Sequence, residues 1–131
     1  MPRPLLVPAL FTLAACGILG PDRVLGSLES RSDFSVPDSV RAGEPFVATL
    51  ITGGGGCHSK GSTDVFVDGN TALIVPYDRL RGDDICTTIL LRFDHSVTLR
   101  FDTPGETRVI ARVLDLRSGE QLELTELVEV Y

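Results

Sequence analysis

The sequence predicts an all-β domain, an antiparallel sandwich of about seven or eight strands in about 100 residues. Three observations point there. Short runs rich in Val, Ile, Leu, Phe and Thr recur from Asp33 to Tyr131. Clusters of Gly, Pro, Asp and Asn separate them at regular intervals. Within the runs apolar residues alternate with period two, and a helical period is weak throughout.

Taken in order, Phe34 and Val36 open the first run, and Pro37-Asp38 ends it. Val40 to Pro45 reads as a turn feeding a strand from Phe46 to Ile51, whose Phe46, Ala48 and Leu50 share one face. Val65 and Val67 face one way in the next run. Asp68-Gly69 then marks a hairpin into Thr71–Val75, and Pro76 is expected to stop that strand or put it on an edge. Ile85–Phe93 alternates imperfectly, because Leu90 breaks the pattern, and fits either a strand or one or two helical turns. The clearest alternation is next, with Val97, Leu99 and Phe101 inward and Ser96, Thr98 and Arg100 outward. Asp102-Thr103-Pro104-Gly105 forms a turn, with Pro presetting φ and Gly taking a positive φ. Val109, Ala111 and Val113 point inward, and Arg108 and Arg112 outward. Ser118-Gly119 turns the chain again. Leu122, Leu124, Val128 and Val130 complete the core face, and Glu126, in phase with them, predicts a bulge or an edge position.

Val40-Arg41-Ala42-Gly43-Glu44-Pro45-Phe46-Val47, followed by Val97 to Val109 with its Pro104-Gly105-Glu106 turn, resembles bacterial immunoglobulin-like domains of surface and periplasmic proteins. The resemblance covers most of residues 33–131. It implies a two-sheet immunoglobulin-like β-sandwich with a scaffold or binding role and no reaction. Many such domains carry an aromatic two residues after the Gly of this turn; Thr107 holds that place here.

The N-terminus has a different character. Arg3 supplies a positive start, and Leu5, Leu6, Val7, Ala9, Leu10, Phe11 and Leu13 an apolar stretch. That stretch is shorter than the ~20 residues of a membrane-spanning helix, and Pro8 interrupts it. Leu13-Ala14-Ala15-Cys16 resembles the lipobox of bacterial lipoproteins. The resemblance implies removal of residues 1–15 and lipidation of Cys16, with stable attachment because two or more acyl chains are carried. Gly17 replaces the Asp that commonly retains enterobacterial lipoproteins in the inner membrane, which favours the outer membrane. Residues 16–32, punctuated by Gly20, Pro21 and Gly26, read as a lipidated Cys and flexible tether with a span of roughly 20–24 Å.

Removing residues 1–15 from the 131 leaves 116, which suits one domain at residues 33–131. The 43% apolar content is enough for a packed core. Loss of Arg3 with the leader takes the formal charge from −6 to −7. Such an acidic chain is unsuited to binding phosphate backbones, so no nucleic-acid partner is expected. The membrane, through the N-terminal lipid, and an envelope protein are the expected partners. With Cys16 assigned to lipid, Cys57 and Cys86 remain, and in an exported protein such a pair reads as one disulfide.

The loop Gly53-Gly54-Gly55-Gly56-Cys57-His58-Ser59-Lys60 is glycine-rich, but His58 and Ser59 stand where a phosphate-binding loop needs Gly and Lys. It reads as a mobile inter-strand loop pinned by Cys57. Cys57, Cys86, His58 and His95 are candidate metal ligands, though they lack the paired spacing of structural zinc sites. The expectation is therefore a cystine, with no metal and no cofactor. His95 reads as a turn residue hydrogen-bonded locally. Asp78, Asp83 and Asp84 read as a solvated acidic stretch without calcium-loop spacing, and Arg81-Gly82-Asp83 as a turn. Ser59 beside His58 lacks a nucleophile elbow, and no catalytic residue is assigned. The expected protein is a non-enzymatic envelope lipoprotein with a binding or structural accessory role. The alternative is a periplasmic small-ligand or metal-ion binder using the Gly53–Lys60 loop, and a small hydrolase ranks last.

Overall fold

The computed structural model describes residues 22–82 and 85–131. The leader, Cys16, the first residues of the tether, Asp83 and Asp84 lie outside them. The strands are β1 (Arg23–Leu25), β2 (Ser27–Leu28), β3 (Phe34–Ser35), β4 (Ser39–Val40), β5 (Phe46–Gly54), β6 (His58–Asp68), β7 (Thr71–Leu80), β8 (Leu91–Asp94), β9 (Val97–Leu99), β10 (Gly105–Asp115) and β11 (Gln121–Val130). A 3₁₀ turn at Arg31–Asp33 is the one helical element among the described residues. The chain is all-β and sandwich-like.

Two long hairpins, β6–β7 and β10–β11, form most of one layer. The first has a two-residue turn, with Asp68 paired to Thr71, so its centre is Gly69-Asn70 rather than Asp68-Gly69. Gly69 takes φ +59°, the left-handed region such turns use. The other layer is built on β5, which pairs with β3, β8 and β9. β7 and β10 run parallel, from Arg108 opposite Thr71 to Ala111 opposite Ile74. Parallel neighbours need a crossover, and the passage through β8 and β9 supplies it. Parallel pairing also joins β2 to β10 and β4 to β11, so the ladder is mixed rather than purely antiparallel.

The ordered domain starts before residue 33. β1 pairs with the end of β7, and β2 with the end of β10 and with Gly53 of β5. Between them Gly26 donates to the Pro76 carbonyl (2.9 Å) and accepts from the Leu114 amide (2.9 Å). The segment closes the gap where β7 and β10 diverge. A Cβ built on Gly26 would lie 2.6 Å from Thr52 Cγ2, so a side chain has no room there. Residues 23–28 are therefore part of the sheet and not of a flexible tether. Glu29 and Asp33 hold the next stretch down through Arg92 of β8 (3.1 and 2.6 Å).

The core follows the alternation. Phe46, Ala48 and Leu50 meet Ala72, Ile74, Val109, Ala111, Val113, Val128 and Val130, all buried. Leu99 and Phe101 close one end, and the Phe46 and Phe101 rings stack at 5.9 Å. Strand β7 does not stop at Pro76. The proline lies between the part of β7 paired with β10, up to Ile74, and the part paired with β1, from Tyr77. It also faces the register shift between Lys60 and Thr63 on β6. At such a discontinuity a missing N–H costs no ladder bond. In the ambiguous stretch only Leu91–Asp94 is regular, as strand β8. Glu126 pairs in unbroken register with Val109. The far side of β11 meets β4 only at Glu129 and Val130, so Glu126 marks an edge and not a bulge.

Candidate functional site

Continuing the core face of β5 past Leu50 leads to Thr52. Continuing that of β7 past Ala72, Ile74 and Pro76 leads to Asp78. Both polar residues fall in phase with the buried apolar ones, and both are buried. Thr52 Oγ1 donates to Asp78 Oδ2 at 2.6 Å. The other carboxylate oxygen lies 2.6 Å from His95 Nε2, and His95 Nδ1 lies 2.6 Å from Thr63 Oγ1. An ionised carboxylate only accepts, so Nε2 carries the hydrogen that faces Asp78. Nδ1 on the other side of the ring has the Thr63 hydroxyl as its partner. The His95 amide also donates to the Leu50 carbonyl (2.8 Å), which fixes the ring's approach.

This corrects two expectations. His95 is no local turn residue, because its partners are 17 and 32 positions away. Asp78 belongs to no solvated acidic stretch. Thr52 on β5, Thr63 on β6, Asp78 on β7 and His95 between β8 and β9 tie the two layers together through one polar chain. The order hydroxyl–imidazole–carboxylate is also that of an activated nucleophile. Here, however, the His95 side chain is fully buried, and neither of the two cavities described below is lined by any member of the chain. The arrangement suits a buried polar tie, in which each donor finds an acceptor.

The glycine-rich stretch is more ordered than a mobile loop. Gly53 and Gly54 are buried within β5, and His58 begins β6. A Cβ on Gly54 would meet His58 Cβ at 2.7 Å. The Gly55 amide donates to His58 Nδ1 (2.9 Å). Cys57 and Cys86 form a disulfide with Cα atoms 5.1 Å apart, pinning the β5–β6 connection to the segment before β8. The Arg81 amide donates to the Cys57 carbonyl (3.1 Å). Beside the cystine lies an open cavity of about 910 Å³ bordered by Asp22, His58, Ser59, Leu80 and Arg81. The sulfurs considered as metal ligands are thus bonded to each other, and both His95 nitrogens have hydrogen-bond partners. Among the described residues no group of three or more His, Cys, Asp or Glu side chains is placed to hold a metal ion.

The β6 strand offers a different kind of surface. Among the described residues it pairs only with β7. At mid-strand Thr63 meets His95, which follows β8, and beyond it the stretch Val65–Asp68 is exposed. Within that stretch Val65, Phe66 and Val67 are 38%, 58% and 55% exposed. Val65 and Val67 lie on the face of β7's buried Ile74 and Ala72, with which they pair. The second layer does not extend over them. A cleft of about 530 Å³ between Val67, Asn70 and the Arg100–Thr107 turn continues this uncovered border. Sequence reading placed Val65 and Val67 on one face of a strand but gave no sign that the opposing layer would stop short of them. Comparison with known proteins gives no match to a family model, to a curated protein or to a solved structure.

Proposed function

We infer that this is a lipid-anchored protein of the bacterial envelope, most consistent with the outer membrane, whose all-β domain has a non-catalytic binding or structural accessory role. The observation that carries the binding role is the apolar edge of β6, three consecutive exposed residues on a strand that, among the described residues, pairs on one side only. Edges of this kind are usually blunted or covered. The Cys57–Cys86 cystine supports an oxidising compartment outside the cytoplasm, and Leu13-Ala14-Ala15-Cys16 supports the anchor. The anchor is tested by fractionating bacteria that express the full chain. The wild-type protein is expected in the membrane pellet and in detergent extracts, and Cys16→Ser in the soluble fraction. Equal release of both proteins without detergent would overturn it.

A second reading, a small-ligand site at the Gly53–Lys60 stretch, is favoured by the cavity beside the cystine, where Arg81 and His58 face a common opening. Small carboxylates or phosphates should then raise the Tm, and Arg81→Ala should abolish the rise. No rise with any of them would remove this reading.

A further inference from the structure

We propose that the Asp64–Asp68 edge of β6 accepts one added β-strand from a protein partner, with three apolar residues flanked by Lys or Arg at both ends. The proposal rests on the binding reading above but not on the lipid anchor.

The backbone comes first. In an antiparallel ladder, residues alternate between bonding their partner and turning their N–H and C=O away. Counted from the two-residue turn, in which Asp68 and Thr71 bond each other, Asp64 and Phe66 also face β7. Val65 and Val67 turn their amides and carbonyls to the open side. Two consecutive outward-facing residues present four unpaired groups, the template that strand addition uses.

The side chains define the guest. On one face Val65 and Val67 continue the apolar rows that begin at Ile74 and Ala72. A guest strand with apolar residues opposite them extends the core by one strand. On the other face Asp64, Phe66 and Asp68 stand in a row, with the aromatic ring between two carboxylates. Opposite Phe66 the fitting residue is again apolar, and opposite each Asp it is basic. Asp64 is already paired with Arg23 of β1 at 3.1 Å, so the charge that a basic guest residue answers most directly is that of Asp68. The resulting pattern, basic–apolar–apolar–apolar–basic, is symmetric, so a guest running in either direction satisfies it.

The same charges argue against a second copy of this chain. Two β6 strands paired antiparallel about Phe66 would set Asp64 against Asp68 twice, and like charges directly opposite destabilise a sheet. The chain's net charge of −6 adds a longer-range bias toward a cationic partner.

The test uses the full-length lipidated protein in detergent micelles and two capped peptides. One is centred on Lys-Val-Tyr-Val-Lys and the other on Glu-Val-Tyr-Val-Glu. The first should bind about tenfold more tightly, since a cross-strand charge pair is worth about 0.2–1 kcal/mol and its change of sign at Asp68 alone comes to about 0.4–2 kcal/mol. It should slow hydrogen exchange at the Val65 and Val67 amides, and Asp68→Lys should reduce its advantage several-fold. Equal affinities, no binding of the basic peptide, or protection only outside β6 would each overturn the proposal. Protection of Val65 and Val67 that rises with protein concentration and without peptide would overturn it in favour of a second copy. Peptide binding is read at β6 whether or not Cys16 carries lipid, so this result is independent of the anchor's.

Discussion

Replacing Asp78 by Ala should be among the most damaging single changes in the domain. The carboxylate accepts from Thr52 Oγ1 and faces His95 Nε2, each at 2.6 Å. Its removal leaves two buried donors without acceptors in a place water does not reach easily. Each such orphan costs about 1–3 kcal/mol, so the loss is about 4 kcal/mol. For about 110 ordered residues the unfolding entropy is near 0.23 kcal/mol per degree, and the Tm should fall by about 17 °C. Thr63→Val is the internal comparison. It removes one partner of His95 at a half-buried position, where solvent can partly compensate, and should cost about 1 kcal/mol. Asp78→Ala combined with Thr52→Val should be less harmful than the sum of the two, because the second change removes a donor the first has orphaned. The assay is urea and thermal unfolding of the full chain at neutral pH with the disulfide intact. An Asp78→Ala loss below about 0.5 kcal/mol, or strict additivity with Thr52→Val, would refute the account of this network as a satisfied buried tie.

Other expectations follow from the same structure. Replacing Cys57 and Cys86 together by Ala should cost roughly 3.5 kcal/mol in urea unfolding, since a loop of about 30 residues is no longer closed in the unfolded chain; an unchanged urea midpoint would contradict this. Gly26→Ala should lower stability by about 1–3 kcal/mol through its collision with Thr52, whereas a truly flexible tether would tolerate it. Asp94 has its carboxyl held below 3.8, chiefly by the Ser96 hydroxyl and then by the Ser96 amide. Its contribution is therefore present above that value and is lost as the pH falls below it. Asp94→Asn should lose that contribution at neutral pH and match the wild type in strong acid, so that the acid limb of the stability curve flattens; an unchanged acid limb would count against the assignment.

Much of the fold was legible where alternation and burial coincide. Phe46-Ala48-Leu50, Leu99-Phe101 and Val109-Ala111-Val113 were each placed on the face they occupy, because one face of each strand packs on the core. The N-terminal strands were not legible. β1 and β2 are two or three residues long beside Gly26, and their stability comes from partners distant in sequence, which no local pattern records. Pro76 misled for the same reason, since its tolerance depends on where two other strands meet β7. The polar tie could have been suspected. Thr52 and Asp78 stand in phase with apolar core residues, and a polar residue in that phase must find a buried partner. His95 gave no such signal, because its neighbours in sequence describe a turn.

Attachment of lipid to Cys16 is the claim on which the protein's place in the cell depends, and intact mass spectrometry of the protein purified from bacterial membranes tests it most directly. The account predicts a chain beginning at Cys16 whose mass exceeds that of the polypeptide by a diacylglyceryl group or more. A chain that retains residues 1–15, or one starting at an unmodified Cys16, would contradict it.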